Sequence, residues 1–346
     1  MSPSKSFLIV GLMIGAATAS GILALVYSQS DETSLSATGT QQREIRIAHG
    51  LAESHPVHLG MVRFKERLEA LSGGAIRCDI FPSGQLGDET QCLEKVQNGT
   101  LELTKVSTGP IADFVPVMKV FSIPYLFDDS DHFWRVLDGE PGQKLLVEAG
   151  RKEDGTPSGF VGLCYFDSGS RNFYAKSPIL SPADIKGKTV RVMQDTVAIE
   201  MIKVMGGNPF PMGFDELYSA LQTGNVDAAE NNPPSFVTSK HLEVCKEFSF
   251  DHHSRIPDIF LVSATLWDTL SDQEKVWFQA AADDASRHQR EVWKTGTEEA
   301  IATMKASGVN IHEPDLQPFR DATAAVKERF ATGRIAEYVE LIEATR

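Results

Sequence analysis

The sequence lacks the short motifs that mark several large classes of enzyme. It has no Gly-x-Ser-x-Gly, no His-Glu-x-x-His, no Walker loop and no Gly-x-Gly-x-x-Gly, so hydrolase, zinc-protease and nucleotide-binding functions find no support. His55-Pro-Val-His58 and His252-His253 could each be half of a metal site, but neither has the spaced partners that a zinc set requires. We therefore expect no catalytic residue, no metal and no cofactor.

Basic residues are outnumbered. Lys and Arg total 33 against 47 Asp and Glu, a formal net charge of −14, which argues against nucleic acid or an anionic membrane surface as a partner. The hydrophobic content of 42% and the charged content of 23% are ordinary for a soluble globular protein. Because 346 residues exceed what one core usually supports, two lobes are expected.

Cysteines are few, and their spacing fits neither a zinc pair nor a redox Cys-x-x-Cys. They stand at positions 78, 92, 164 and 245. In an exported chain they would permit disulfides, with three possible connectivities. We expect a Cys78–Cys92 bridge, since Cys78 lies on a predicted strand and Cys92 on the helix that follows it.

The first 30 residues are nearly devoid of charge. Lys5 precedes an apolar run from Phe7 to Tyr27, and the triplet Ala17-Thr18-Ala19 is a candidate cleavage site, so 1–30 is predicted to be a secretory signal peptide. The run is also long enough for a retained membrane anchor, and both interpretations imply export to the periplasm. The Ser-, Thr- and Gln-rich residues 31–42 are predicted to form a disordered linker.

Strand-like and helix-like segments alternate from Glu44 onward, and a second block between residues 189 and 231 repeats the plan without repeating the sequence. Such alternation predicts an α/β protein whose two lobes each contain a mostly parallel sheet flanked by helices. The lobes should face each other across a cleft. We assign residues 43–168 plus about 257–296 to the first lobe, and 169–256 plus about 297–346 to the second lobe and the C-terminal helices.

A long helix is predicted near the carboxyl terminus. Ser271 and Glu274 form a capping box, and the helix they begin should continue to Lys305, a length of ~50 Å at about 1.5 Å per residue. Such a helix exceeds one lobe, so we expect it to bridge both. Gly296 is a candidate position for a kink.

Arg191 stands between valines at the carboxyl end of a predicted strand, and Glu230-Asn231 ends the next strand but one. In open α/β sheets ligands bind outside these strand ends, so the residues should converge there. A buried arginine requires a negative partner. That partner can be an internal carboxylate or an anionic ligand, and the residues alone favour the internal ion pair.

Several segments together resemble the solute-binding proteins of tripartite ATP-independent periplasmic (TRAP) transporters, the DctP-like family. The resemblance covers essentially the whole chain after residue 43. It implies the two-lobed fold of periplasmic binding proteins and a periplasmic receptor that closes its lobes on an organic acid and has no enzymatic activity. The segments that carry it are Pro82–Gly87 (PSGQLG), Gly169–Arg171 (GSR), Ser181–Arg191 (SPADIKGKTVR), Pro211–Met212 (PM), Glu216–Gly224 (ELYSALQTG) and Val226–Asn232 (VDAAENN).

The resemblance implies roles for residues of the second lobe. Arg191 matches the arginine that binds the ligand carboxylate through both arms of its guanidinium. Arg171 matches a second arginine that reaches the ligand in sialic-acid-binding members, although a surface or hinge ion pair is an equal alternative. Asn231 matches a ligand-binding amide and Phe214 an aromatic that packs on the ligand or in the core, while Glu230 could accept from ligand hydroxyls or anchor an arginine.

Other candidates come from the first lobe. Its strand ends deliver His49, Glu53, His55 and Ser107, and Gln194 follows the strand of Arg191. Acidic and histidine side chains opposite an arginine suit a polyhydroxylated acid. For His49 and His55, a capping or loop role is the alternative, and the residues alone favour it.

The expected ligand is a sugar acid such as glucuronate or galacturonate. Ala229–Pro234 (AENNPP) and the opening Gly50–His58 (GLAESHPVH) look closer to uronate-binding members than to sialic-acid-binding ones. A C4-dicarboxylate, a keto acid or sialic acid would suit the same fold. The expected partner is the TRAP permease in the membrane, and the receptor is expected to be monomeric. The alternatives are a secreted enzyme that acts on sugar acids through Glu230 or Glu53 and an anchored receptor that reports to a sensor.

Overall fold

The computed structural model describes residues 42–346, so the predictions for residues 1–41 lie outside the described residues. Among the described residues no helix is long and apolar enough to cross a membrane. The strands are β1 Arg43–Ala48, β2 Ile76–Phe81, β3 Leu103–Ser107, β4 Phe160–Phe166, β5 Arg171–Ala175, β6 Thr189–Val192, β7 Asn208–Pro211, β8 Ala228–Asn231, β9 Glu247–Ser254, β10 Asp258–Ser263 and β11 Asn310–His312.

Helices connect these strands and cover the sheets. Three 3₁₀ segments accompany them, at Pro116–Ser122, Pro182–Ile185 and His241–Glu243. The helices are α1 Pro56–Leu71, α2 Glu89–Gln97, α3 Thr108–Ile111, α4 Ser130–Asp138, α5 Glu140–Glu148, α6 Thr196–Val204, α7 Leu217–Thr223, α8 Pro233–Thr238, α9 Ala264–Trp267, α10 Asp272–Ala306, α11 Gln317–Phe330 and α12 Gly333–Glu343.

The first lobe is built on a five-stranded sheet in the order β2-β1-β3-β10-β4. β1 pairs in parallel with β2 and β3, whereas β10 runs antiparallel to β3 and β4. Both faces of the sheet are covered. Along β10, Ile259 and Leu261 belong to one apolar cluster and Phe260 and Val262 to the other, as expected for a strand buried on both sides.

The second lobe contains a six-stranded sheet in the order β11-β9-β5-β8-β6-β7. Here β5 is the antiparallel strand, since it opposes β8 and β9, while β6 pairs in parallel with β7 and β8. Two mixed sheets flanked by helices confirm the predicted two-lobed α/β fold. The parallel pairing of β6 with β8 brings Arg191 and Asn231 to the same edge of the sheet.

Two short segments connect the sheets. Residues 167–170 lead from β4 in the first sheet to β5 in the second, and residues 255–257 lead from β9 back to β10. The Ser168 hydroxyl donates a hydrogen bond to the Ile256 carbonyl, which ties one crossover to the other. We call these two segments the hinge.

The long helix α10 spans 35 residues and begins at the predicted capping box of Ser271 and Glu274. Phe278, in the first half of the helix, packs in a core cluster of the first lobe. Met304, near the end of the helix, packs in a core cluster of the second lobe. The helix therefore bridges the lobes. It continues without interruption through Gly296, where a Cβ would approach Pro56 Cγ to 2.6 Å. The glycine thus permits close packing against the start of α1 rather than a break.

Residues 297–346 were assigned to the second lobe and the C-terminal helices. Of these, Tyr338, Val339 and Ile342 of α12 pack in the core of the first lobe. The sequence could not show which lobe α12 would cover.

The expected Cys78–Cys92 bridge is absent, and that prediction is wrong. All four cysteines are buried free thiols, and Cys78 and Cys92 belong to different core clusters on opposite faces of the first sheet.

Candidate functional site

A cavity of about 510 Å³, counting its opening to solvent, lies between the two lobes. The first lobe lines it mainly with polar and charged side chains, and the second lobe contributes both predicted arginines. The lining residues are Gly50, Leu51, His55, Glu89, Lys105, Ser107, Ser168, Arg171, Arg191, Met193, Phe214, Asn231, Asn232, Ser235 and Asp258.

Arg191 lies on the floor of this cavity with only 3% of its surface exposed. Its Nε and Nη2 donate to the Met212 carbonyl at 3.2 and 2.8 Å. Its Nη1 is buried without a hydrogen-bond partner among the described residues. The Phe214 ring lies 5.6 Å from the guanidinium carbon. No carboxylate forms an ion pair with Arg191 in the described part of the chain, and this leaves its charge for an anion in the cavity.

Arg171 lies on β5, which is separated from β6 by β8; it is as deeply buried as Arg191 but is neutralised. Its Nε and Nη2 form a bidentate ion pair with the Glu230 carboxylate, in which Nη2 lies 2.8 Å from Oε1. Nη2 also donates to the Glu230 carbonyl at 3.0 Å, and Nη1 lies 3.4 Å from Asn231 Oδ1. Glu230 therefore anchors an arginine, which was one of its two expected roles. The hinge-side ion pair expected as an alternative for Arg171 is present.

His253 extends this network away from the cavity. Its Nε2 lies 3.4 Å from Glu230 Oε2, and its Nδ1 lies 2.7 Å from Asp251 Oδ2. Burial alone would lower the pKa of His253, but Asp251 and Glu230 raise it to about 9. The imidazolium helps to hold Glu230 in its charged form. Burial would raise the pKa of Glu230, yet Arg171 and His253 lower it to about 2.

The pKa values of the two arginines separate in the same way. Burial lowers the pKa of Arg191, and the more distant Glu230 offsets this only in part. Burial acts on Arg171 in the same direction, but direct pairing with Glu230 raises its pKa above the ordinary value. No direct ion pair among the described residues balances the charge of Arg191, whereas Glu230 balances the charge of Arg171.

The opposite wall belongs to the first lobe and carries a buried charged cluster. Lys105 Nζ lies 2.9 Å from Asp258 Oδ2 and 3.3 Å from Glu89 Oε1. Glu89 Oε1 also accepts the backbone N–H of Ser107 at 2.9 Å. One lysine faces two carboxylates, so this wall has more hydrogen-bond acceptors than cationic donors. Such a surface suits ligand hydroxyl groups.

Contacts across the cleft hold the lobes together in this structure. His55 caps α1 by accepting the Val57 N–H at its Nδ1, 3.2 Å away, and its Nε2 lies 3.1 Å from Ser235 Oγ in the second lobe. Burial lowers the pKa of His55 to about 3, so the ring is neutral at pH 7. Thr90 Oγ1 of the first lobe donates to Gln194 Oε1 of the second. The lobes are therefore in contact on the cavity side.

The predicted site residues fall into two groups. The cavity wall includes Arg191, Arg171, Asn231, Phe214, His55 and Ser107. Glu230 lies directly behind the wall through its pairing with Arg171, and Gln194 lines a smaller adjoining cavity that shares Arg191 and Phe214.

His49 and Glu53 lie outside the cavity wall. His49 is buried, with its Nε2 3.0 Å from His58 Nδ1 and its Nδ1 accepting the Leu51 N–H at 3.1 Å. Burial lowers the pKa of His49 to about 2, so this ring has the structural role that was its alternative. Glu53 is exposed on the loop before α1. The strand-end position that suggested both residues did not determine where their side chains point.

Sequence reasoning missed Lys105, Asp258, Glu89 and His253. A signal existed for Lys105, which lies in a strand of five residues that are all buried, where a lysine requires a partner. Asp258 and His253 derive their roles from the β9–β10 crossover, whose pairing the sequence does not reveal. Among the described residues no group of His, Cys, Asp and Glu side chains could hold a metal ion.

Two α/β lobes that enclose a polar cavity with an unneutralised arginine on its floor define a two-lobed solute-binding protein. Comparison with known proteins identifies the family. The model of the bacterial extracellular solute-binding proteins, family 7 (DctP), matches residues 47–333. The chain belongs to this family. The sequence resemblance to TRAP solute-binding proteins is thereby confirmed, and the chain is a solute receptor rather than an enzyme.

Individual relatives share most of the chain's length. A TRAP periplasmic solute-binding protein from Roseobacter denitrificans with bound β-D-glucuronate is 36% identical, with a TM-score of 0.83 over 88% of this chain and 100% of its own. One from a Bradyrhizobium species with bound galacturonate is 34% identical, with a TM-score of 0.84 over 87% and 100%. The sialic acid-binding periplasmic protein SiaP of Vibrio cholerae is 29% identical over 90% of this chain and 95% of its own.

Proposed function

We propose that this receptor binds a uronate such as D-glucuronate or D-galacturonate between its lobes and that Arg191 holds the carboxylate. The single observation that carries this is the buried guanidinium of Arg191, which has one nitrogen without a partner and no ion pair among the described residues. A buried charge of this kind is costly unless an opposite charge joins it. A ligand carboxylate supplies that charge through two charge-assisted hydrogen bonds.

The opposite wall supports a hydroxylated tail. Glu89 and Asp258 face the cavity with only Lys105 between them. Sugar hydroxyls can donate to these carboxylates, whereas the second carboxylate of a C4-dicarboxylate would be repelled by the surplus negative charge. The structures of relatives with bound glucuronate and galacturonate support the same ligand class. A uronate therefore fits both ends of the cavity.

Closure of the lobes is the proposed signal to the transporter. Arg191 belongs to the second lobe and Lys105 to the first. A single ligand therefore contacts both walls only when the lobes approach. The ligand thereby favours the closed form by its differential affinity. We propose that the receptor acts as a monomer in the periplasm, reaches it through the segment 1–30, and delivers its ligand to a TRAP permease.

A thermal-shift screen of the exported protein tests this function. The panel contains D-glucuronate, D-galacturonate, aldonates, sialic acid, succinate, malate and branched keto acids. A ligand at about 1,000 times its Kd adds about 4 kcal/mol to the free energy of unfolding, which corresponds to a rise of several degrees in Tm. We expect the largest rise with a uronate, and we expect Arg191→Ala to abolish it.

The other possible results of the screen would change the proposal in different ways. A rise with succinate or malate alone would replace the uronate by a dicarboxylate and leave the receptor function in place. Sialic acid as the strongest ligand would shift the assignment to the SiaP-like members. Undiminished stabilisation of Arg191→Ala by the best ligand would refute the role of this arginine.

A further inference from the structure

A second large cavity lies at the hinge, and the ligand site does not use it. It has about 1340 Å³ of open space, counting its mouth. Both hinge crossovers line it, through Gly169 and Ser170 on one side and Arg255 on the other, and α10 forms a further wall with Trp293 and Thr297. We call it the hinge cavity. Every one of these segments passes between the lobes, so movement of one lobe against the other must change its shape.

Arg255 gives this cavity an uncompensated positive charge. Its guanidinium has no hydrogen bond or ion pair among the described residues, although Asp167 and Asp129 act on it from a distance. Arg290, on the same wall, is different. It pairs with both oxygens of Asp138 at 2.7 and 2.5 Å, and its guanidinium carbon lies 3.3 Å from the centre of the Trp134 ring. Among the described residues, Arg255 and the more exposed Lys294 are therefore the cations of this cavity without an ion pair, and Arg255 is the more buried of the two.

The remaining lining is mixed. Phe250, Trp293 and Ile301 supply apolar surface, and Asp167, Lys294 and Glu298 are charged residues of the same cavity. The indole N–H of Trp293 has no acceptor among the described residues. Thr297 Oγ1 and Arg290 Nε, in the same region, are buried without partners in the described part of the chain. A pocket that combines aromatic and aliphatic surface with a few convergent donors is typical of small-molecule sites.

We propose that the hinge cavity is a second ligand site, which takes a small aromatic monocarboxylate and favours the closed arrangement of the lobes when occupied. The carboxylate pairs with Arg255, and the ring packs against Phe250 and Trp293. A guanidinium fork and aromatic faces together recognise this class of molecule. The proposal concerns a site separate from the uronate cavity and does not depend on which acid binds there.

The coupling follows from the position of the hinge. The two cavities share Asn232, whose side-chain amide donates to the Ser168 carbonyl at 3.0 Å. Ser168 lines the front cavity, and the next residues, Gly169 and Ser170, line the hinge cavity. The crossover thus separates two spaces on its opposite sides. Rotation that opens the front cleft narrows the space behind the hinge, so a molecule that fills this space opposes opening.

His252, at the hinge cavity, has an unusual backbone conformation. Its φ is +49°, in the left-handed region that non-glycine residues rarely adopt. Its Nδ1 lies 2.7 Å from Ser170 Oγ, and its backbone N–H donates to Asn172 Oδ1 at 3.0 Å. These bonds connect the end of β9 to the start of β5. The hinge cavity is therefore bounded by a strained backbone that the two crossovers hold in place.

Isothermal titration of the full exported protein with phenylacetate tests the proposal. Phenylacetamide, which has the same ring and no charge, is the matched control ligand. We expect phenylacetate to bind with a Kd below about 1 mM and phenylacetamide to bind at least about tenfold more weakly, since a charge-assisted hydrogen bond is lost. Arg255→Gln should weaken phenylacetate binding by a similar factor. Arg287→Gln, an exposed arginine on α10 that pairs only with Asp284, should not change it.

The coupling has its own readout. Saturating phenylacetate should tighten D-glucuronate binding, and saturating D-glucuronate should tighten phenylacetate binding by the same factor. Absence of phenylacetate binding, equal binding of the neutral amide, or full binding to Arg255→Gln would overturn the site. Loss of phenylacetate binding in Arg191→Gln would also overturn it, because the acid would then occupy the front cavity. Unchanged affinities in the presence of the other ligand would overturn the effect on closure.

Discussion

Two arginines at the edge of the second sheet differ in one respect, and this difference separates their roles. Arg171 and Arg191 are both almost fully buried, at 4% and 3% exposure. Arg171 has Glu230 as an internal counter-ion, whereas within residues 42–346 Arg191 has only the carbonyl of Met212 and one nitrogen without a partner. Burial therefore does not distinguish the two arginines. The proposed role of Arg191 as the ligand-binding arginine rests on its missing internal neutralisation.

The largest expected effect is on binding by Arg191→Gln. Two charge-assisted hydrogen bonds to the ligand carboxylate, at about 1.5–3 kcal/mol each, are lost, so Kd should rise by about 10²–10⁴-fold. The stability of the ligand-free protein should stay the same or increase, because a buried unpaired charge is removed. Titration calorimetry and urea unfolding measure the two quantities. A strongly destabilised variant would mean that Arg191 has an internal partner after all.

Glu230→Gln should act in the opposite way, mainly on folding. It leaves Arg171 buried without its counter-ion, which costs about 3–5 kcal/mol of unfolding free energy. Urea unfolding of the ligand-free protein gives this value. The double variant Arg171→Gln/Glu230→Gln should be more stable than Glu230→Gln alone, since it leaves no unpaired charge. If Glu230→Gln loses no stability, the pairing contributes nothing to the fold and the contrast between the arginines fails.

The pairing of His253 with Asp251 and Glu230 also predicts that the free energy of unfolding falls at alkaline pH. The pKa of His253 is about 9 in the folded protein, above its value of about 6.5 in an unfolded chain. Its contribution, on the order of 3 kcal/mol, is therefore complete below pH 6.5 and is lost as the pH rises to 9. Unfolding free energies measured from pH 6 to 10 should fall over this range, and His253→Gln should flatten the fall. An identical slope in the variant would assign it to other groups.

Acid should destabilise the protein through different groups. Glu230, with a folded pKa of about 2, contributes fully above about pH 4.5 and loses its contribution as the pH falls toward 2. His49, His55 and His241 have pKa values lowered by burial to about 2, 3 and 3, so they begin to oppose folding below about pH 6.5. The same titration series, extended to pH 3, should show this decline.

The smallest effect concerns the ring beside Arg191. Phe214 lies 5.6 Å from its guanidinium carbon, a contact that contributes about 0.5–1 kcal/mol. Phe214→Leu should weaken ligand binding by about two- to fivefold and lower the unfolding free energy by no more than about 1 kcal/mol, because the ring contacts the guanidinium with or without ligand. Calorimetry resolves such a difference. A loss as large as that of Arg191→Gln would make the ring a primary ligand contact.

The sequence predicted the fold better than the contacts in the site. The alternation of strands and helices and the capping box at Ser271 are local signals, and both predict the observed elements. The convergence of Arg191 with Asn231 followed from the rule for strand ends. The choice of Arg171 as the partner of Glu230 did not, because antiparallel pairing of β5 with β8 brings them together. The Lys105–Asp258 pair likewise depends on β10 lying beside β3.

Titration with D-glucuronate and D-glucuronamide, in the wild-type protein and in Arg191→Gln, tests the central claim most directly. The two ligands differ only in the charge of one end, so this cycle isolates the interaction between that charge and Arg191. The account predicts that the wild-type protein prefers the acid by at least about 10²-fold and that Arg191→Gln binds acid and amide nearly equally. A preference of unchanged size in Arg191→Gln would contradict it and would assign the carboxylate to another cation.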